Sequence, residues 1–293
     1  MLDSVDVFDV CDVGQKTPVS VNMSMPARRC GAAVVVIEDT VYIIGGFSEV
    51  ISVKPVLNKT VSTLYKYSVI SNQWFPMQSM RRERGNPVAF HINGYIYVAG
   101  GFNRDCCIRS SVECYNIKED HWKSRNPLPG GGLCFAAGCS VGGKGWVSGG
   151  RSSGKSISDD LMMYSPGTDV WECKAGMLEA RRRHMMCAID NCLYVMGGDN
   201  RQLLLNSAEV YDIRTDQWSF IEPMPWNRCL TTAVVHEGKI YIAGGWSKSN
   251  REPDGQQATD TVLVYSVEED TWWEADKPLS QPVCDCCCAL TCL

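Results

Sequence analysis

The chain has 293 residues, of which 45% are hydrophobic and 21% charged, and its 28 Lys and Arg against 33 Asp and Glu give a formal net charge of −5. This is the composition of a globular protein with enough apolar side chains for a sizeable core. The mildly acidic balance argues against broad, nonspecific binding to nucleic acid or to a membrane surface, and the absence of any 18-residue apolar run excludes a membrane-spanning helix.

The N-terminal segment, MLDSVDVFDVCDVGQ, is acidic and has no apolar stretch. A secretory signal peptide is basic at its start and apolar in its centre, so we expect a cytoplasmic protein. The sixteen cysteines are then expected to be free thiols, because a reducing compartment disfavours disulfides.

A sequence repeat occupies the rest of the chain and determines the predicted fold. Five glycine pairs recur at intervals of 55, 49, 48 and 47 residues, and a Tyr and a Trp seven positions apart follow each pair. The pairs are Gly45-Gly46, Gly100-Gly101, Gly149-Gly150, Gly197-Gly198 and Gly244-Gly245. The aromatic residues are Tyr67 and Trp74, Tyr115 and Trp122, Tyr164 and Trp171, Tyr211 and Trp218, and Tyr265 and Trp272. We assign all twenty to structure: the glycines allow close backbone packing, and the aromatic rings fill the space between neighbouring units.

Each repeat is predicted to contain four short antiparallel strands. In the fourth repeat these are HMMCAI, CLYVMGG, SAEVYDI and QWSFIE, which combine alternating polarity with β-branched and aromatic residues. No segment has a sustained helical period. Four strands in about 48 residues is the size of a propeller blade.

The double glycine, the Tyr and Trp at fixed separation, and the Met-Pro and Arg before the next unit resemble the kelch repeat over almost the whole chain. The resemblance implies an all-β fold, namely a single six-bladed kelch β-propeller over residues 1–293. The five full repeats are predicted at about 27–80, 81–129, 130–178, 179–225 and 226–279.

The two termini are predicted to share the sixth blade. DSVDVFDVCDVGQ aligns with the third and fourth strands of a repeat, and PVCDCCCALTCL aligns with an innermost strand. A partial blade over residues 1–26 would then close with residues 280–293, which removes the free sheet edges. The second strand of this blade, the one that should end in a glycine pair, has no counterpart in the sequence.

Two groups of cysteines are candidates for chemistry. Cys284 and Cys287 form a CxxC pattern within the run of cysteines that ends at Cys292, but neighbouring residues of a strand point to opposite faces. Packing of an inner strand is therefore the favoured interpretation, and redox sensing and metal binding are the alternatives. Cys106 and Cys107 are predicted to lie in a loop beside Arg104 and Arg109, either as ordinary loop residues or as reactive thiols.

An enzyme is the least favoured function for this chain. No two of the four histidines have the spacing of a metal site or a catalytic triad, and no nucleophile elbow, phosphate loop or HExxH occurs. We therefore expect no catalytic residue, no metal and no cofactor.

Propeller geometry brings a set of arginines to one end of the molecule. The residues after each glycine pair and the residues before each innermost strand are expected to open on the same end. The candidate partner-binding residues there are Arg104, Arg151, Arg201 and Arg251 after the pairs, Arg29, Arg84, Arg183 and Arg228 before the strands, and Phe47, Phe102 and Trp246 beside them. The second set of arginines has an alternative interpretation, as part of the repeat signature that pairs with carboxylates at blade junctions. Two longer loops, 47–63 and 246–260, are expected to form one wall of a groove.

The predicted function is protein binding, with the arginine-rich end capturing an acidic or phosphorylated segment of a client. The chain resembles the C-terminal propeller of the kelch-like family, in which BTB and BACK domains precede it. That resemblance implies a substrate-recognition part of a cullin-RING ubiquitin ligase. The BTB and BACK domains are not within these residues, so we expect a cullin to be bound only through them. The alternative is an actin-binding, cytoskeletal kelch protein, and neither function involves nucleic acid or a membrane.

Overall fold

The structure, a computed structural model, describes residues 25–48, 59–154, 156–247 and 257–285, together with the backbone of residues 5–7 and 19–21. All regular secondary structure in these residues is β-strand. They contain no helix that is long and apolar enough to cross a membrane.

The strands follow the predicted repeat. Near the N-terminus, β1 (Val5–Val7) pairs with β2 (Val19–Val21). The first repeat contains β3 (Arg29–Cys30), β4 (Ala33–Ile37), β5 (Thr40–Ile44), β6 (Phe47–Ser48), β7 (Lys59–Thr60), β8 (Leu64–Ser68) and β9 (Gln73–Met77). The second contains β10 (Val88–Ile92), β11 (Tyr95–Ala99), β12 (Val112–Asn116) and β13 (His121–Arg125). The third contains β14 (Leu133–Cys134), β15 (Ala137–Val141), β16 (Lys144–Ser148), β17 (Arg151–Ser152), β18 (Leu161–Ser165) and β19 (Val170–Lys174).

The fourth repeat contains β20 (Met185–Ile189), β21 (Cys192–Met196), β22 (Ala208–Asp212) and β23 (Gln217–Ile221). The fifth contains β24 (Ala233–His236), β25 (Lys239–Ala243), β26 (Trp246–Ser247), β27 (Gln257–Ala258), β28 (Val262–Ser266) and β29 (Thr271–Glu274). In each repeat, four strands form one antiparallel sheet in the orders β4-β5-β8-β9, β10-β11-β12-β13, β15-β16-β18-β19, β20-β21-β22-β23 and β24-β25-β28-β29.

The hydrophobic core lies between neighbouring sheets. One cluster joins Tyr42 and Ile44 of the first sheet to Ile96 and Tyr115 of the second, and equivalent clusters join the second sheet to the third, the third to the fourth and the fourth to the fifth. A sheet that buries both faces against its neighbours has the face-to-face packing of propeller blades. The predicted all-β propeller is confirmed.

The repeated Tyr and Trp connect each blade to the preceding one. The Tyr115 hydroxyl donates to Asp120 at 2.7 Å, and the same carboxylate oxygen accepts the backbone N–H of Gln78 in the first blade at 2.8 Å. The Trp122 indole N–H donates to the Gln78 carbonyl at 2.7 Å. The same three bonds recur around Tyr164, Tyr211 and Tyr265. The two rings thus fill space and also align adjacent blades through hydrogen bonds.

A ring of backbone hydrogen bonds surrounds the propeller axis. One residue before each of the five described innermost strands has a left-handed conformation, namely Gly31, Asn86, Phe135, Arg183 and Leu230, and Asp285 has the same conformation. Five successive N–H groups each donate to the carbonyl of the preceding member, at 2.8 to 3.3 Å. The Gly31 N–H donates to the Asp285 carboxylate at 2.9 Å, so that a side chain joins the last member of the ring to the first.

The number of blades stays a prediction, as do the domain boundaries. The second glycine of each pair donates to the residue that begins the next repeat, as from Gly198 to Arg228 at 2.6 Å, and Gly245 donates in the same way to Val283 at 2.8 Å. Val283 therefore has the same position relative to Gly245 as Arg228 has relative to Gly198. The rest of the predicted composite blade falls mostly outside the described residues.

Candidate functional site

The two sets of loop residues predicted to share one end of the propeller are in direct contact. A short antiparallel bridge joins the residue after each glycine pair to the residue that precedes a ring member in the sequence. Phe47 pairs in this way with Cys30, and Asp199 with Arg182. We call this end, with the ring at its centre and the loops after the glycine pairs around it, the mouth. The structure thus brings the predicted segments together, and it separates the predicted arginines into two groups.

The first group is buried and structural. Arg84 is 0% exposed, and its guanidinium donates to the carbonyls of Gly100 and Ser111, each at 2.7 Å, and to the carboxylate of Glu113 at 3.1 Å. Arg228 is 1% exposed and donates to the Gly244 carbonyl and to the Thr261 hydroxyl. The prediction that Arg84 and Arg228 bind a partner is wrong, because their guanidinium groups satisfy backbone carbonyls beneath the glycine pairs.

Arg181, rather than Arg183, is the structural arginine of the fourth repeat. It lies sixteen positions before Gly197, as Arg84 does before Gly100, and it donates to the Gly197 carbonyl at 2.8 Å. Its other terminal nitrogen lies 2.6 Å from the carboxylate of Glu209. Counting back from the glycine pair would have identified this residue within the Arg181–Arg183 run.

Arg29 has the same position in the first repeat and is half-buried. It donates to the Thr63 hydroxyl at 2.9 Å, and its guanidinium carbon lies 5.8 Å from the centre of the Tyr65 ring. Burial lowers the pKa of Arg29, against the opposing effect of Tyr65. These contacts direct Arg29 into the blade junction, so we no longer count it among the residues that face a partner.

The second group lies at the mouth and is centred on one carboxylate. Asp199 accepts from the Nε of Arg182 at 3.0 Å and from the Nε of Arg183 at 2.6 Å, and its side chain also accepts the backbone N–H of Arg201 at 3.2 Å. Burial raises the pKa of Asp199, but the hydrogen bonds and charges of the two guanidinium groups outweigh this effect and hold it below the usual value. Asp199 is therefore ionised and orients both arginines.

Four other predicted arginines have different surroundings. Arg104 and Arg201 are exposed at the tips of their loops, and Arg201 has a left-handed conformation, with φ of 76°. Arg151 is half-buried, and its backbone bridges Cys134 and Ile157. Arg251 lies outside the described residues.

Aromatic side chains line the part of the mouth next to Arg182. Phe47 lies 5.4 Å from Phe102 and Phe102 lies 5.8 Å from Phe135, as measured between ring centres, and the Arg182 guanidinium carbon lies 6.0 Å from the Phe135 ring centre. Phe102 and Phe135 are half-buried, as is the predicted Trp246 in the fifth repeat.

Phe47 is a second correction to the predicted partner-binding set. It is only 5% exposed, because its ring occupies the space that a Cβ would need at Gly31 and Gly85. Sequence reasoning missed Phe135, which carries no motif. The sequence signal that could have identified Phe135 is its position just before an innermost strand, where it aligns with Asn86 of the second repeat.

The two longer loops begin as strand pairs at the mouth. In the first repeat β6 pairs with β3 and with β7, and in the fifth β26 pairs with β27. The predicted groove wall would be formed by the tips of these loops, which lie outside the described residues.

The cysteines of the described residues are free thiols. Cys284 is half-buried, and burial, followed by the charge of Asp285, raises its pKa. Cys286, Cys287, Cys288 and Cys292 lie outside the described residues. In the described part of the chain, no group of three or more His, Cys, Asp or Glu side chains has the arrangement of a metal site.

Comparisons with known proteins agree with this architecture. The family model described as the KLHDC2/KLHL20/DRC7 Kelch-repeats domain matches residues 133–292, and that described as the Attractin/LZTR1 beta-propeller matches residues 3–209. Kelch-like protein 26 of Danio rerio is 31% identical over 250 residues, which cover 82% of this chain and 39% of that protein. Kelch-like protein 36 of Bos taurus is 30% identical over 277 residues, which cover 91% of this chain and 43% of that protein.

The chain therefore spans less than half the length of these curated relatives. Among solved structures, that of YjhT superposes with a TM-score of 0.74 and covers 89% of this chain and 87% of that one. At 16% sequence identity, this likeness concerns the fold alone.

Proposed function

Because the chain belongs to the kelch-repeat β-propeller family, we propose that its mouth binds an acidic or phosphorylated segment of a client protein for a kelch-like adaptor of a cullin-RING ubiquitin ligase. The likeness to kelch-like proteins and to propeller domains supports a protein-interaction module. The resemblance to the kelch-like family supports the adaptor role, and the geometry of the mouth supports the class of client. A cytoplasmic location is part of the same proposal.

The arrangement of Arg182, Asp199 and Arg183 carries the proposal. Each guanidinium uses its Nε to bind the one carboxylate, and among the described residues their Nη groups make no hydrogen bond. Two cations share the Asp199 carboxylate, so these three side chains carry a net positive charge, although the charge of Asp285 also acts on Arg183. The Nη groups are the donors that bind carboxylate or phosphate in a bidentate manner. Phe135, beside Arg182, offers an apolar surface for a neighbouring client residue.

Affinity purification from cell lysate tests the site. The double variant Arg183→Glu, Arg201→Glu reverses two charges at the mouth. The matched control is Arg214→Glu, because Arg214 is 72% exposed in the turn between β22 and β23, at the other end of the propeller. We expect the captured clients to fall by about tenfold or more with the double variant, as for a loss of about 1.4 kcal/mol or more, and to remain with the control. Clients that persist equally with both variants would contradict a binding site at the mouth.

Two further arms identify the client chemistry. Phosphatase treatment of the lysate removes clients that bind through phosphate and leaves those that bind through carboxylates. Co-sedimentation with actin filaments tests the alternative function. Filament binding that the double variant abolishes, with no other client lost, would replace the adaptor by the cytoskeletal interpretation.

A further inference from the structure

The exposed cysteines differ from the remaining thiols in their surroundings. Of the eleven free cysteines in the described residues, three are exposed: Cys106, Cys107 and Cys173. The others are buried or half-buried, and burial raises the pKa of Cys134 and of Cys229 to about 11. Cys106 and Cys107 are adjacent in one loop of the mouth, whereas Cys173 stands alone in β19.

The loop that carries the two adjacent thiols is closed by its own hydrogen bonds. The Asn103 N–H donates to the Cys107 carbonyl at 3.1 Å, and the Cys106 N–H donates to the Asn103 carbonyl at 3.0 Å. The Asn103 side-chain oxygen accepts the backbone N–H of Cys107 at 2.9 Å. Both cysteines are therefore held in a short loop that leaves their side chains open to solvent.

One cation of this loop remains exposed next to the thiols. Arg109 is directed away, because it donates to the carbonyl of Glu83 at 3.2 Å and lies 3.4 Å from its carboxylate. Arg104 is exposed and forms no ion pair within the described residues. The exposed carboxylate of Asp105 lies between Arg104 and Cys106 in the same loop, so the two charges offset each other and the loop selects no particular charge on a reagent.

We propose that Cys106 and Cys107 form a reversible dithiol–disulfide couple at the mouth, oxidised by a low-molecular-weight disulfide such as oxidised glutathione. One thiol loses its proton and attacks the disulfide, which forms a mixed disulfide and releases one glutathione thiolate. The neighbouring thiol, also after losing its proton, attacks the protein sulfur of the mixed disulfide and releases the second glutathione. The two cysteines are oxidised by two electrons, and one oxidised glutathione is reduced to two thiols.

The adjacency of the two residues makes this couple reversible. The Cα atoms of consecutive residues across a trans peptide are about 3.8 Å apart. The Cα atoms of two cysteines joined by a disulfide are usually about 4.4–6.8 Å apart, so this pair is closer than usual. A disulfide between them is strained, and strained, exposed disulfides are the easily reduced and regulatory ones. The disulfide would form when the ratio of oxidised to reduced glutathione is high, and it would be reduced again when that ratio falls.

Peptide mass spectrometry tests the couple directly. Trypsin cuts after Arg104 and Arg109 and releases the peptide 105–109, which contains both cysteines and no other. After incubation of the folded protein with oxidised glutathione and acid quenching, we expect this peptide to lose two hydrogens and to carry no glutathione. Cys173, as the solitary exposed thiol, is expected to carry one glutathione in the same sample.

The single variants Cys106→Ser and Cys107→Ser are the matched controls, and each is expected to stop at the mixed disulfide. Dithiothreitol should restore the reduced peptide. A wild-type peptide that stays reduced while Cys173 is modified, that carries glutathione, or that is joined to another cysteine would overturn the proposal.

The effect of the couple on client binding rests on the proposed function and has a separate readout. Closing the disulfide changes the loop that presents Arg104, so we expect client capture to fall several-fold in the oxidised protein and to recover with dithiothreitol. An internal disulfide without any change in capture would leave the modification established and overturn its coupling to the mouth. If no client is lost with the double variant of the mouth either, the proposed function fails and the peptide mass still decides the chemistry.

Discussion

Two arginines of one short run have opposite roles in this propeller. Arg181 is buried under the glycine pair of the fourth blade, and Arg183 lies at the mouth. In the third repeat Leu133 occupies the place of Arg181, and Met162 occupies the place of its partner Glu209. The third repeat thus replaces the buried arginine and glutamate together by an apolar pair. The fifth repeat keeps the buried Arg228 with Leu263 in the place of the glutamate, and there the guanidinium is held by the Gly244 carbonyl and the Thr261 hydroxyl.

Removal of Glu209 alone should destabilise the protein strongly. Glu209→Ala removes the nearer carboxylate of the fully buried Arg181 and leaves only that of Glu179, which lies 3.5 Å away and is 29% exposed. We therefore expect a loss of about 3 kcal/mol in the free energy of unfolding, at the low end of the usual cost of breaking a buried ion pair. The double variant Arg181→Leu, Glu209→Met copies the third repeat and should lose less than Glu209→Ala, although the carbonyls of Gly197 and Ser207 lose a donor. Urea unfolding measures both. A double variant that is less stable than Glu209→Ala would contradict this explanation.

His184 should make the stability of the protein pH-dependent. It is 4% exposed, its Nε2 lies 2.8 Å from the Ser148 hydroxyl, and burial and the charge of Arg181 hold its pKa well below the usual value. The unfolded chain then binds a proton at a higher pH than the folded one. The contribution of His184 to the free energy of unfolding is therefore fully present above about pH 6.5, the pKa of histidine in the unfolded chain. It falls as the pH drops below that value, by about 1 kcal/mol between pH 7 and pH 5.5.

The variant His184→Leu isolates this contribution. Its free energy of unfolding should change less between pH 7 and pH 5.5 than that of the wild type, whatever its absolute stability. Urea unfolding at several pH values in this window provides the comparison. An equal change in both proteins would contradict the assignment of this pH dependence to His184.

At the scale of single elements, the glycine pairs determine how closely one blade approaches the next. Gly100 has φ of 67°, and a Cβ added there would lie 2.2 Å from the Leu133 carbonyl oxygen of the following repeat. Gly94, in the turn between β10 and β11, also has a positive φ, of 80°, but a Cβ there would meet nothing within 4 Å. The two glycines share a backbone requirement and differ in their contacts.

Alanine at these two positions separates strain from packing. Gly94→Ala should cost about 1–2 kcal/mol, the usual penalty of a left-handed conformation. Gly100→Ala carries the same strain and in addition pushes two blades apart, so we expect a loss of more than about 4 kcal/mol. Thermal or urea unfolding gives both values. Equal losses would show that contact between the blades does not depend on Gly100.

Sequence spacing predicted the elements well and the individual side chains less well. The glycine pairs and the Tyr and Trp were recognisable because every blade meets its neighbours in the same way. The burial of Arg181 instead of Arg183 depends on a difference of two positions in a run of three arginines. Phe47 was expected at the surface, but its ring lies against Gly31 and Gly85, and a contact across two repeats leaves no local pattern.

At the scale of the whole molecule, the hydrogen-bonded ring fixes the relative positions of the mouth residues. Phe135 and Arg183 are both members of the ring, and their backbones are joined by a hydrogen bond of 2.8 Å from Arg183 to Phe135. The aromatic and the charged parts of the mouth are therefore held next to each other by the backbone and not only by their side chains. A rigid surface of this kind loses little conformational entropy when a client binds.

Hydrogen–deuterium exchange on the complex with a captured client tests the central claim, that the mouth is the binding surface. We predict slower exchange on binding in the loops 101–109, 181–185 and 199–204, and unchanged exchange in the turns at the other end, such as that between β22 and β23. Protection confined to those turns or to the outer strands β9, β13, β19, β23 and β29, with the mouth unchanged, would contradict the account.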